Sequence, residues 1–161
     1  MITAVPPSSR GGLVRGLLLA TLLLFGVSAA GNGTEESAPS QNLDYQAGLE
    51  AIKVSDWKRA IDNLNVALVA EPTNADLRNW LGYALRHEGR YNEAFEQYRA
   101  ALQLEPKHRG AHEYIGEAYL MQGNLAKAKE HLARLDKLCF FGCEEYDDLK
   151  KSIAEYEQRK K

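Results

Sequence analysis

From Trp80 to Pro106 the apolar and polar positions follow the pattern of two short helices laid face to face, and the chain on either side repeats the plan. Rows begun at Gln41, Ala75 and Arg109 (75 − 41 = 34 and 109 − 75 = 34) align three units without a gap. Gly48, Gly82 and Gly116 share one column, and Trp57, Tyr91 and Leu125 a second. Ala60, Ala94 and Ala128 share a third, Leu64, Tyr98 and Leu132 a fourth, and Ala67, Ala101 and Leu135 a fifth. Pro72 and Pro106 close the first two rows.

Each row predicts a first helix of about fourteen residues ending near Ser55, Gly89 or Gly123, and a second starting at Trp57, Tyr91 or Leu125. The second helix runs until the proline that cannot continue it. Glycine inside a helix costs about 1 kcal/mol relative to alanine, so three glycines in one column need a common cause. Close packing supplies it: glycine on the first helix and alanine on the second let the two axes approach within about 8–10 Å. Leu64, Tyr98 and Leu132 are expected in the seam between the two helices, and Trp57, Tyr91 and Leu125 at its far end. Helix N-caps are expected at Ser55 or Asp56, at Thr73 or Asn74, and at Asn124.

With those columns in place, the rows resemble tetratricopeptide repeats. The middle row carries Leu81-Gly82, Gly89, Tyr91, Ala94, Tyr98, Ala101 and Pro106 where that family has its signature. The resemblance covers residues 41 to about 138. It implies an all-α fold of three helix-turn-helix repeats, 41–74, 75–108 and 109–142, in a right-handed superhelix. A concave groove lined by the first helices, and a role in binding other proteins, go with it. Three departures stand out. Asp44, Arg78 and His112 replace a large apolar residue, Ser55 replaces the first turn glycine, and Phe140 stands where the third row lacks its proline.

The third second helix has Lys129 and Asp136 where the others have Ile61 and Leu68, or Phe95 and Leu102. Its outer face therefore meets something other than another full repeat. Residues 144–161 fill that place: Tyr146, Leu149, Ile153 and Tyr156 recur at helical spacing, which predicts a capping helix followed by the basic tail Arg159, Lys160 and Lys161.

The first thirty residues differ in kind. Arg10 and Arg15 precede an apolar run from Leu17 to Val27, and Ser28, Ala29 and Ala30 follow, the order of a secretory signal peptide. The run is shorter than the roughly 20 residues of a membrane span, so membrane attachment requires this segment to stay uncleaved. Residues 31–40 hold nothing to bury and read as a flexible linker. Removing the segment takes two arginines and no acid, so the formal charge moves from −2 to −4 (−2 − 2 = −4). An acidic chain without a basic stripe argues against nucleic acid as partner.

Candidate chemistry lies on the other face of the first helices, where water alone would favour charge. That face presents Tyr45, Leu49 and Ile52, then Asn79, Trp80, Tyr83, Arg86 and His87, then Glu113, Tyr114, Glu117, Leu120 and Met121. Aromatic residues and arginine anchor protein interfaces, and a concave array of them suits an extended peptide or a helix. The partner-binding set is Tyr45, Leu49, Asn79, Trp80, Tyr83, Arg86, His87, Glu113, Tyr114 and Glu117. The competing reading makes Trp80, Tyr114 and Leu49 core residues in a shifted register. Some relatives hold a C-terminal carboxylate with a Lys, Asn and Arg clamp, but Tyr45, Leu49, Trp80, Gly110 and Tyr114 occupy those positions here. Arg86 remains able to meet a carboxylate, and Glu113 with Glu117 a basic side chain.

Cys139 and Cys143 bracket Phe140-Phe141-Gly142 between the third unit and the cap. A close pair in an exported chain reads first as a disulfide, with the phenylalanines buried under the cap; a metal site and a redox pair are the other readings. His108 and His112, four apart, are considered as a metal pair and set aside because a turn separates them. No phosphate loop, nucleophile elbow, His-Glu-x-x-His or haem-attachment motif occurs, so no catalytic residue, cofactor or metal is expected. The expectation is an exported, periplasmic bacterial adaptor holding a protein or peptide in its groove. Its rivals are an assembly chaperone, as in cytochrome c maturation, and a thiol-redox or metal-carrier protein using Cys139 and Cys143.

Overall fold

A computed structural model describes residues 42–160; the expected signal segment, 1–30, and linker, 31–40, lie outside the described residues. Seven helices follow one another: α1 Leu43–Lys53, α2 Trp57–Ala70, α3 Ala75–His87, α4 Tyr91–Leu104, α5 Arg109–Met121, α6 Leu125–Leu138 and α7 Glu144–Arg159. α1 pairs with α2, α3 with α4 and α5 with α6; α2 then packs on α3, α4 on α5, and α7 on both α5 and α6. The result is an all-α superhelical array of helix pairs. No helix among the described residues is long and apolar enough to cross a membrane.

The turns inside the pairs share one geometry. Ser55, Gly89 and Gly123 adopt φ of 58°, 80° and 76°. Their amides donate to Ile52, Arg86 and Leu120 at 2.9, 3.1 and 3.0 Å. A left-handed serine costs on the order of 1 kcal/mol more than glycine, so the first turn is held by its neighbours against local preference. Asp56, Asn74 and Asn124 cap α2, α3 and α6 through amides three residues on. α5 uses a histidine instead: His108 Nδ1 accepts from the Ala111 amide at 3.1 Å.

The polar residues that replace the family's large apolar one also repeat a role. Arg78 donates to the Pro72 carbonyl at 2.9 Å, and His112 Nε2 lies 3.1 Å from the Pro106 carbonyl, one unit further on. Each anchors the proline turn preceding its own helix. His108 and His112 do not converge. His108 Nε2 lies 3.0 Å from Asp76, whereas His112 Nδ1 meets His131 Nδ1 at 3.0 Å.

The seam departs from expectation in the third unit. A Cβ on Gly48 would lie 2.7 Å from Leu64, and one on Gly82 would lie 2.7 Å from Tyr98, each on the partner helix of its own pair. A Cβ on Gly116 would instead lie 2.6 Å from Leu149 of α7, while Leu132, the expected seam residue, is only half-buried. Leu81, Ile115 and Leu149 are spaced 34 apart (115 − 81 and 149 − 115), and all three are buried. α7 is thus a fourth first helix in step with the array. Its residues Tyr146, Leu149, Ile153 and Tyr156 pack with Leu120, Leu125, Ala128, Leu132 and Leu135.

Cys139 ends α6 and Cys143 precedes α7; their sulfurs are joined, with Cα atoms 5.5 Å apart. Gly142, at φ 87°, turns the chain within this ring. The expected burial of Phe140 and Phe141 is overturned: they are 87% and 97% exposed, edge to face with ring centres 5.1 Å apart. Leu149, Ile153 and Tyr146 already fill the space beneath α7, so a five-residue ring has only its outside left for them.

Candidate functional site

The inner face of α3 and α5 carries a run of rings. Trp80 and Tyr83 meet edge to face with centres 5.7 Å apart, and Tyr83 and Tyr114 lie 4.9 Å apart. Tyr83 is also 4.4 Å from His87, which stacks on Trp57 at 4.4 Å and 16°. Trp80, Tyr83 and Tyr114 are half-buried, and Trp80 and Tyr114 pack on the core behind them. Such rings bring large contact area at a cost of two torsions each.

Beneath them lies Arg86, only 5% exposed. Its guanidinium sits 5.3 Å from the Tyr83 ring centre and 5.8 Å from that of Tyr114. Nη2 pairs with Glu117 at 2.9 Å, and Ser152 of α7 donates to the same carboxylate at 3.1 Å. A buried cation stripped of its partner costs several kcal/mol, so Arg86 and Glu117 are tied to each other. This corrects two expectations: Arg86 is not free for a ligand carboxylate, and Glu117 is not free for a basic side chain. Arg86 instead packs beneath the Tyr83 and Tyr114 rings.

Tyr45, also expected at the surface, belongs to the core, and burial pushes its hydroxyl pKa up. Leu49 packs partly buried against the same cluster. Asn79 and Glu113 are buried as well, yet both line an open cleft of ≈ 320 Å³ beside the rings. Its other walls are Asp76, Trp80, His108, Gly110, Tyr114, Glu144, Glu145 and Asp148. Burial, then the nearby Glu117, Asp148 and Glu145, push the Glu113 carboxyl up to about 8.

Trp57, Asp76, Glu144 and Asp148 are not among the expected site residues. A fourth row shows the last two. Trp80, Tyr114 and Asp148 fall at steps of 34 (114 − 80 and 148 − 114), and so do Asp76, Gly110 and Glu144 (110 − 76 and 144 − 110). Trp57 has no such signal, because it reaches the groove from a second helix.

Of Cys139, Cys143 and Glu145, whose ligand atoms lie within 4.8 Å of one another, the two sulfurs are bonded and offer no thiolate. Among the described residues no other such group of three occurs.

Two tetratricopeptide repeat models match, one over residues 45–108 and the other over 85–153, together running from 45 to 153. The peroxisomal targeting signal receptor of Candida albicans is 34% identical over 95 residues, 58% of this chain and 16% of that protein. That of Eremothecium gossypii is 30% identical over 96 residues, and 17% of it is covered, so the chain spans under a fifth of these curated relatives. Among solved structures, the first repeat domain of Spaghetti (RPAP3) bound to the HSP90 peptide SRMEEVD superposes with a TM-score of 0.63 at 22% identity. The superposition covers 72% of this chain and 91% of that one.

Proposed function

The chain belongs to the tetratricopeptide repeat family, and on that premise we propose that it is an exported, non-catalytic adaptor that holds a segment of a partner protein against the rings of its inner face. The observation that carries this reading is the Trp80–Tyr83–Tyr114 run, half-open to solvent above a buried, internally paired Arg86. A pure core would close over such rings, and a merely solvated face would not fix a cation beneath them. The similar domain bound to an HSP90 peptide supports the class of ligand, a peptide, by fold.

Export rests on the charged, apolar, small-residue order of residues 10–30 and on the joined Cys139 and Cys143, which suit an oxidising compartment such as the periplasm. The disulfide in this reading fastens α7 to α6. The experiment is capture of partner from cells by the tagged chain, comparing wild type with Tyr83→Ala and His87→Ala. Loss of the captured protein in both variants, with helical content unchanged by circular dichroism, supports the reading; undiminished capture contradicts it.

A further inference from the structure

The cleft beside the rings has a polarity of its own. Five acidic side chains line it, Asp76, Glu113, Glu144, Glu145 and Asp148, against His108 as the one basic side chain in the lining. Two of the acids are already engaged, Asp76 with His108 at 3.0 Å and Glu145 with Arg109 at 3.3 Å. Glu113, Glu144 and Asp148 have no salt-bridge partner among the described residues. Arg86 faces Glu113 only at longer range, being paired with Glu117.

A second observation is independent of charge. Asn79 is 3% exposed, lines the same cleft, and its side-chain oxygen has no hydrogen-bond partner. A buried carbonyl of that kind costs about 1–3 kcal/mol unless a donor reaches it. Gly110 leaves room beside the Asn79 amide nitrogen, since a Cβ there would lie 3.1 Å from Asn79 Nδ2. Trp80 and Tyr114 line the cleft together with the acids, so rings and acceptors share one site.

We propose that this cleft receives an arginine side chain of the partner polypeptide, with the guanidinium stacked by Trp80 and Tyr114 and donating to Glu113, Glu144, Asp148 and, once the Asn79 amide turns, to Asn79 Oδ1. The carboxylate oxygens do not converge as three within 4.8 Å, so they are too dispersed for a single metal ion. A planar fork with five donors matches acceptors spread in this way, and it stacks on aromatic rings as an ammonium does not. The polarity is the reverse of a carboxylate clamp. The proposal rests on the groove reading above and names one residue of its ligand.

The probe is a blocked pentapeptide, Ala-Ala-Arg-Ala-Ala, titrated into the full chain and followed by NMR at the Trp80 indole N–H and the Asn79 side-chain amide. Peptides with lysine, citrulline or norleucine at the centre, and free agmatine, are the comparison arms. The arginine peptide is expected to shift both signals and to bind about tenfold more tightly than the citrulline and norleucine peptides. Glu144→Gln with Asp148→Asn, both at exposed positions, should weaken it by about tenfold while leaving the remaining spectrum in place. Equal binding of the arginine and norleucine peptides, or an unaffected double variant, overturns the proposal. Agmatine binding as tightly as the peptide overturns its polypeptide part. If the double variant still captures partner fully while Tyr83→Ala does not, the cleft assignment fails and the groove reading stands. If Tyr83→Ala also captures fully, the groove reading itself fails.

Discussion

The second and third units are built on the same columns but close their seams differently. In the second, Gly82 receives the Tyr98 ring from its own partner helix, and Tyr98 is fully buried. In the third, Gly116 receives Leu149 from α7 while Leu132 stays half-buried. The second unit fills its seam from within the pair; the third is completed by α7. An end unit of a stacked array lacks a neighbour to bury its outer face, and here a fourth first helix supplies both the cover and the missing seam residue.

That asymmetry has its strongest consequence at Leu149. Leu149→Ala removes a fully buried side chain at the three-helix junction and should cost about 3–4 kcal/mol, whereas Leu132→Ala should cost about 1 kcal/mol. Urea unfolding of both variants checks it, and similar costs would mean that the third seam resembles the second. Next, Gly82→Ala forces a Cβ against a buried aromatic ring and should cost about 2–3 kcal/mol. Gly116→Ala meets the methyl end of a leucine, which can turn aside, and should cost roughly half as much by the same measurement.

The third unit also carries the titrating groups, which the second lacks at matching positions. Burial, then His112, pushes His131 down to about 4, and burial lowers His112 as well. Folded pKa values below the unfolded ones mean that the unfolded chain binds more protons, so these histidines withdraw stability as pH falls below about 6.5. Glu113, raised to about 8, has the opposite sign: its folded form holds the extra proton, and stability is lost as pH rises through 8. Thermal unfolding should therefore show a maximum between about pH 6 and 7, with the alkaline limb flattened in Glu113→Gln. A profile that keeps rising to about pH 9 would contradict the assignment. Breaking the five-residue ring with Cys143→Ser should cost about 2 kcal/mol by chain entropy, felt in α7 hydrogen exchange before the second unit. Smallest, Ser55→Gly relieves a left-handed turn and should raise stability by about 0.5–1 kcal/mol.

The repeat makes most of this fold legible, because its columns state a packing rule three times over. Helix limits at Trp57, Tyr91 and Leu125 and caps at Asp56, Asn74 and Asn124 come from proline, glycine and Asx chemistry that acts locally. The register of α7 is harder to see, because amphipathic spacing alone gives a covering helix without continuing the rows to a fourth. Burial on the inner face is harder still. Tyr83 and Arg86 are neighbours three apart on α3, but the second lies under the Tyr83 ring and the Tyr114 ring of α5, and only the stacking distance between units decides which of them meets water. Phe140 and Phe141 defy expectation for a related reason: apolarity predicts burial only where space remains, and α7 has already filled it.

Partner contact through the inner face is tested most directly by photocrosslinking from single positions. A photoreactive residue at Tyr83 should form a covalent adduct with a partner in intact cells, whereas one at Val69, on the exposed side of α2, should form none. Adducts from Val69 as abundant as those from Tyr83, or none from Tyr83, would contradict a binding role for this face.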